Sequence, residues 1–223
     1  YSRVMSCTRF LHILRVLHFS NNENAPDKND PDYDRFWKMR NVFSYLNNQY
    51  FSVYNPTEHL AVDEVIVLFK GRVIFRQYIP KKHKRFGIKL YKICDSNGYT
   101  YDMTVYLGKQ QDNATPQISA THGTVLQLTS KVEGVGHKLF MDNYFSSPDL
   151  FNDLHERKIN SCGTVRHNRK GMPKQFSPKV LKLKRGDIVS RVKDGLWAVC
   201  WKDKREVYLL TNMHNPPASG HFV

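Results

Sequence analysis

The order of apolar patterns between residues 58 and 166 constrains this chain more than any other feature. Four stretches rich in β-branched and aromatic residues follow one another: "HLAVDEV", "RVIFRQYI", "FGIKLYKICD" and "YTYDMTVYLG". Gly71, Gly87 and the "DSNG" run at 95–98 punctuate them, as expected for a strand meander. After "QQDNATP" comes a helical pattern with Val125, Leu128 and Val132 on one face, and then a short apolar run, "KLFMD", at 138–142. That run fits a strand buried on both faces. "SSPDLFNDLHERKI" opens a second helix with Ser147 at its N-cap, Pro148 at the first helical position and Asp149 in the first turn. "SCGTVR" at 161–166 reads as another strand. The meander should be antiparallel, and each later helix should return the chain to a strand parallel to its neighbour. The expected architecture is α/β, a mixed sheet flanked by helices.

Two further regions flank this core. Residues 1–55 read as helical: Phe10, Ile13, Leu14 and Leu17 share one face, with Ser6 or Thr8 as caps. Phe36, Met39, Phe43, Leu46 and Tyr50 form a second stripe, and both stripes are expected in a core. Residues 167–223 begin as a basic, Pro-containing loop. Alternating strand patterns follow, joined at "KDG" and "KDKR". They are expected as a small β-rich appendage outside the main sheet. The chain opens on "YSRVMSCTRF" without Met and reads as a piece of something longer.

Charge narrows the function. Thirty-four Lys and Arg against 20 Asp and Glu give a formal net charge of +14, which favours a polyanionic partner. The positive charge is striped. Between Val65 and Cys94 stand Lys70, Arg72, Arg76, Lys81, Lys82, Lys84, Arg85, Lys89 and Lys92 without one acid, and Thr164–Arg185 carries a second acid-free stripe. No apolar run reaches the length of a membrane span, and no signal-peptide pattern opens the chain. The four cysteines are far apart, which argues against a zinc site or a disulfide framework and for a reducing compartment. The ten histidines show no HxxxH or HExxH spacing.

Against this basic background two acids stand out, Asp63 inside a strand pattern and Asp142 at the end of another. If those strands pair side by side, the carboxylates converge. A buried carboxylate needs a partner. Lys or Arg could supply it. A divalent cation is the alternative, since Mg²⁺ takes few carboxylates together with phosphate oxygens. Glu64, next along the strand, points to the opposite face and is left out of the site.

Long ordered motifs carry a resemblance. "VDE…FKGR…QYIPKK…GIK", "DNYFSSPDL" and "CGTVR.NRKG.P", spaced along roughly residues 1–212, resemble the piggyBac-type transposases. The resemblance implies an RNase H-like catalytic core over 56–166, a helical part of a dimerisation and DNA-binding region over 1–55, and part of a β-rich inserted domain over 167–223. It implies three aspartates holding two Mg²⁺ or Mn²⁺ ions: Asp63 matches the first, Asp142 the second, and the third lies in a segment outside this chain. This piece alone should therefore bind metal weakly and be catalytically incomplete. The implied chemistry is DNA cut-and-paste: nicking at the transposon ends, hairpin formation, and joining to a TTAA target. A homodimer of the full-length protein and a nuclear location are implied with it. Arg166 and Arg169 match positions associated with target DNA, with Lys170 in support, while Lys81, Lys82, Lys84 and Arg85 form a weaker basic tip. A solvated loop is the plain alternative for each. The other reading of the whole chain is a domesticated DNA-binding protein that kept the fold without the catalysis.

Overall fold

The computed structural model describes residues 3–31, 33–80, 85–108, 118–217 and 219–221. The chain divides into two compact units, Tyr1–Gln49 and Tyr50–Val223.

In the first unit, helix α1 spans Cys7–Val16 and starts where the Ser6 hydroxyl accepts a hydrogen bond from the Arg9 amide at 3.3 Å. Helix α2 runs Trp37–Ser52, its residues up to Gln49 belonging to this unit. Just before it, the Asp34 carboxylate accepts from the Phe36 amide at 2.8 Å and pairs with the Arg40 guanidinium, which holds its carboxyl below the usual range. Neither helix contains a buried residue. Amphipathic spacing did locate both helices, but the expectation that their stripes form a core is corrected: Phe10, Leu14, Met39 and Leu46 are exposed. A stripe at helical spacing demands burial only if something covers it.

The second unit is built on one sheet. Its strands are β1 (His59–Leu68), β2 (Gln77–Tyr78), β3 (Phe86–Asp95), β4 (Thr100–Val105), β5 (Lys138–Met141), β6 (Asn160–Thr164), β7 (Asp187–Lys193), β8 (Leu196–Lys202), β9 (Glu206–Thr211) and β10 (Ser219–His221). The order across the sheet is β10-β7-β8-β9-β6-β5-β1-β3-β2, with β4 also on β3. As the patterns require, β1–β3 and β3–β4 are antiparallel while β1–β5 and β5–β6 are parallel. Helices α3 (Ala120–Thr129) and α4 (Pro148–Glu156) make the two crossovers. The capping signals at α4 hold, with Ser147 accepting from the Leu150 amide.

The helices and the sheet share one core. Leu60 and Val62 of β1, Ile93 of β3, and Leu139 and Met141 of β5 meet Val125, Leu128, Leu150, Phe151 and Leu154 from the helices. The other face of the same strands is open, with His59, Ala61 and Asp63 exposed. Phe140 is 37% exposed there, so β5 is buried on one face, not two.

Two expectations change. Residues 72–76 of the "RVIFRQYI" stretch are not strand; the Arg76 guanidinium donates to the Lys70 and Gly71 carbonyls, and only Gln77–Tyr78 pair with β3. The β-rich appendage does not form a separate sheet. β9 pairs antiparallel with β6, Cys162 opposite Thr211, so β7–β10 extend the central sheet through an edge β6 would otherwise expose. The basic tip Lys81, Lys82 and Lys84 lies outside the described residues. The "KDG" hairpin turns as read: Asp194 and Gly195 both have positive φ, the two-residue type that matches strand twist.

The sidedness of the sheet sets an expected outcome. Leu154→Ala, at a side chain 0% exposed, should lower the unfolding free energy by about 2–5 kcal/mol. Phe140→Ala on the open face should cost about 1 kcal/mol or less. Urea denaturation of both variants checks the difference.

Candidate active site

Strand pairing brings the two aspartates together. In the parallel register of β1 and β5, Ala61 lies opposite Phe140 and Val62 opposite Met141. One step further sets Asp63 beside Asp142, on strands about 5 Å apart. Alternation puts both on the open face, away from the core. Both are exposed, which corrects the premise of a buried carboxylate. Desolvation therefore does not force a partner on either one; their proximity is the feature to be explained.

Each carboxylate is held locally by one backbone donor. The Glu64 amide donates to Asp63 Oδ1 at 2.7 Å, and the Tyr144 amide to Asp142 Oδ1 at 2.8 Å. Among the described residues neither Asp forms an ion pair. Lys92 stands opposite Asp63 across β3, but its ammonium donates to Thr100 Oγ1 at 3.1 Å. Among the described residues no arginine neutralises the pair, so the two acids leave oxygen atoms facing solvent on one side of the sheet. Glu64 lies on the other face, opposite Tyr91.

Asp142 owes its position to a tight turn. Its carbonyl accepts from the amides of Phe145 (3.3 Å) and Ser146 (3.1 Å) and from the Ser146 hydroxyl (2.9 Å). Ser146 is fully buried, and Gly163 of β6 leaves the room it needs. A Cβ at Gly163 would sit 2.4 Å from the Met141 carbonyl oxygen and 2.7 Å from Ser146 Oγ. The Tyr144 ring stacks with Tyr91, their hydroxyls 3.2 Å apart, and the Lys89 ammonium lies 4.4 Å from the Tyr144 ring centre. Burial pushes the Tyr91 hydroxyl far above the ordinary tyrosine range, so it stays protonated and able to donate.

The basic residues separate by environment. Arg166 and Lys170 are exposed on the loop after β6, as is Arg85 before β3. Arg166 reaches toward Asn143 Oδ1 at 3.5 Å. Arg169 is half-buried, and its Nη2 donates to the carbonyls of Asn143 (3.1 Å) and Tyr144 (2.7 Å). The strand–helix order brings Arg166 and Arg169 beside the Asp142 turn. Sequence reading missed Ser146, Tyr91 and Tyr144. Gly163 in the "CGTVR" motif was the available signal, a glycine inside a strand marking close backbone approach.

A third acid does not join the pair: among the described residues no three of His, Cys, Asp and Glu cluster as metal ligands. Asp187 instead accepts from the Lys184 amide at 2.7 Å, and Asp194 and Asp203 lie in hairpin turns. Gly163→Ala tests the turn. It should destabilise the fold by about 1–3 kcal/mol and shift the Tyr144 amide signal in a ¹⁵N spectrum, because no flexible side-chain end can yield at that contact.

Comparison with known proteins agrees with this geometry. The family model described as "Transposase IS4" matches residues 1–221. The human piggyBac transposable element-derived protein 3 is 29% identical over 212 residues, covering 92% of this chain and 35% of that protein. The human piggyBac transposable element-derived protein 5 is 22% identical, covering 99% of the chain and 43% of that protein. This chain thus spans well under half the length of these relatives. Among solved structures, the piggyBac transposase in a synaptic complex with hairpin DNA superposes with a TM-score of 0.84 at 30% identity, over 97% of this chain and 45% of that one. The family match extends over nearly the whole chain, and with the superposition it identifies the sheet bearing Asp63 and Asp142 as an RNase H-like core: the chain belongs to the IS4/piggyBac transposase family.

Proposed function

We propose that this chain is the catalytic core of a cut-and-paste DNA transposase, with Asp63 and Asp142 as two of its three acidic metal ligands. The observation that carries the reading is the β1–β5 register, which sets two exposed carboxylates side by side, neither of them in an ion pair among the described residues. Such a donor set fits Mg²⁺ or Mn²⁺: hard oxygen ligands, few in number, open to water and phosphate. When bound, a pair of such ions supplies activation of the attacking oxygen and stabilisation of the leaving oxygen at phosphorus. The protein's own part is to hold the two carboxylates at fixed separation on rigid strands. The third ligand is expected beyond this chain.

The exposed basic residues take the DNA. Arg166 and Lys170 lie on the loop beside the Asp142 turn, and Arg85 adds a further cation before β3. Lysine and arginine at such positions neutralise phosphates and fix register without reading bases. Cleavage at transposon ends, joining to TTAA, dimerisation through the helical unit and action in the nucleus complete the proposal. The exposed apolar stripes of α1 and α2 support dimerisation, since a partner helix would cover them. One observation favours the second reading, a DNA-binding protein without catalysis: the matched human relatives are named as transposable element-derived.

The experiment uses the full-length protein and a plasmid bearing the element's own ends flanked by TTAA. Asp63→Ala and Asp142→Ala should each abolish Mg²⁺-dependent cleavage while DNA affinity stays within about twofold. Cleavage that persists in either variant removes that residue from the metal site, and a wild type that binds DNA but never cuts it establishes the second reading. Arg166→Ala should lower the slope of log affinity against log salt by about one.

A further inference from the structure

We infer that Arg169 is a positioning residue for the Asp142 carboxylate and not a contact to DNA; the inference rests on the reading of Asp142 as a metal ligand. The surroundings of Arg169 are unlike those of its basic neighbours. Its Nη2 bridges the Asn143 and Tyr144 carbonyls, at 3.1 and 2.7 Å, within the turn that begins at Asp142. Its Nε is buried with no hydrogen-bond partner among the described residues. A phosphate contact would keep its donors in water until DNA arrived; this guanidinium is already drawn inside, one nitrogen at the expense of another.

The bridge acts on the carboxylate through one bond. Tyr144 contributes the carbonyl that Arg169 holds and the amide that donates to Asp142 Oδ1 at 2.8 Å. Fixing that peptide segment fixes the direction of the donor, and with it the rotamer of Asp142. The opposite side of the turn is secured by the Ser146 hydroxyl on the Asp142 carbonyl and by the Tyr91–Tyr144 contact. Arg169 is itself anchored in its loop: its amide donates to the Arg166 carbonyl, its carbonyl accepts from the Met172 amide, and Met172 is buried in the core. Outer-shell groups of this kind commonly alter metal affinity by about 10- to 100-fold when removed.

The test compares wild type with Arg169→Met, which keeps the apolar stem and removes the donors, in the full-length protein. Three readouts are taken: Mn²⁺ affinity by electron paramagnetic resonance, hydrogen exchange of the segment 142–146, and the salt slope of DNA binding. Arg169→Met should weaken Mn²⁺ binding by about tenfold, speed exchange at the Tyr144 amide, and leave the salt slope unchanged. Unchanged Mn²⁺ affinity and exchange, with a slope reduced by about one, would return Arg169 to the DNA interface and overturn the inference. If Asp142→Asn leaves wild-type Mn²⁺ affinity unchanged, the metal-ligand reading itself fails, and unchanged Tyr144 exchange in Arg169→Met then separately rejects the clamp. Should Arg169→Met not fold, Arg169→Lys replaces it. Lysine keeps the charge but not the planar fork, so it should preserve the salt slope and recover only part of the Mn²⁺ affinity and exchange protection.

Discussion

The parallel pairing of β1 with β5 is the contact on which the site depends. These strands are joined by a long path through β2, β3, β4 and α3, and only their register makes neighbours of Asp63 and Asp142. Alternation does the rest. Because Leu60, Val62, Leu139 and Met141 must face the helices, Ala61, Asp63, Phe140 and Asp142 must face the other way. A slip of one residue would turn the acids into the core and the apolar side chains into water. The hydrophobic contacts that stabilise the unit are therefore the same contacts that fix the two carboxylates on the open face.

A second layer of constraint acts at the end of β5. The chain leaves the strand in a turn that backbone bonds close and that Ser146, the space at Gly163, the stacked Tyr91 and Tyr144, and the Arg169 guanidinium also support. Contributions from β3, β6 and the following loop thus meet at one peptide segment. An acid at the end of a strand would ordinarily be free to choose rotamers. Here the Tyr144 amide holds one carboxylate oxygen, and three separate elements steady the segment that carries that amide, a restriction of the kind a precise binding constellation requires.

Much of this was legible in the sequence. Strand and helix order over 58–166, the antiparallel-then-parallel pairing, the Ser147–Pro148–Asp149 cap and the turn at Asp194–Gly195 all followed from periodicity and turn chemistry, because those signals are local. What failed was tertiary. Periodicity could not say that the stripes of α1 and α2 lie uncovered, that β9 docks on β6, or that one face of β5 is open; each depends on which surface a neighbour occupies. The two acids stood out as a carboxylate inside one apolar strand pattern and another at the end of a second, but their exposure was misjudged because an apolar run does not report which of its faces is buried. Arg169 looked like its neighbours Arg166 and Lys170, since charge in a loop carries no mark of where the side chain turns.

The central claim is that a divalent cation binds between Asp63 and Asp142. Its most direct measurement is a substoichiometric Mn²⁺ titration of the ¹⁵N-labelled chain, followed by paramagnetic line broadening. The account predicts early broadening at the amides of Asp63, Glu64, Asp142 and Asn143, lost when Asp142 is replaced by Asn. Broadening centred elsewhere, or undiminished by that replacement, would contradict it.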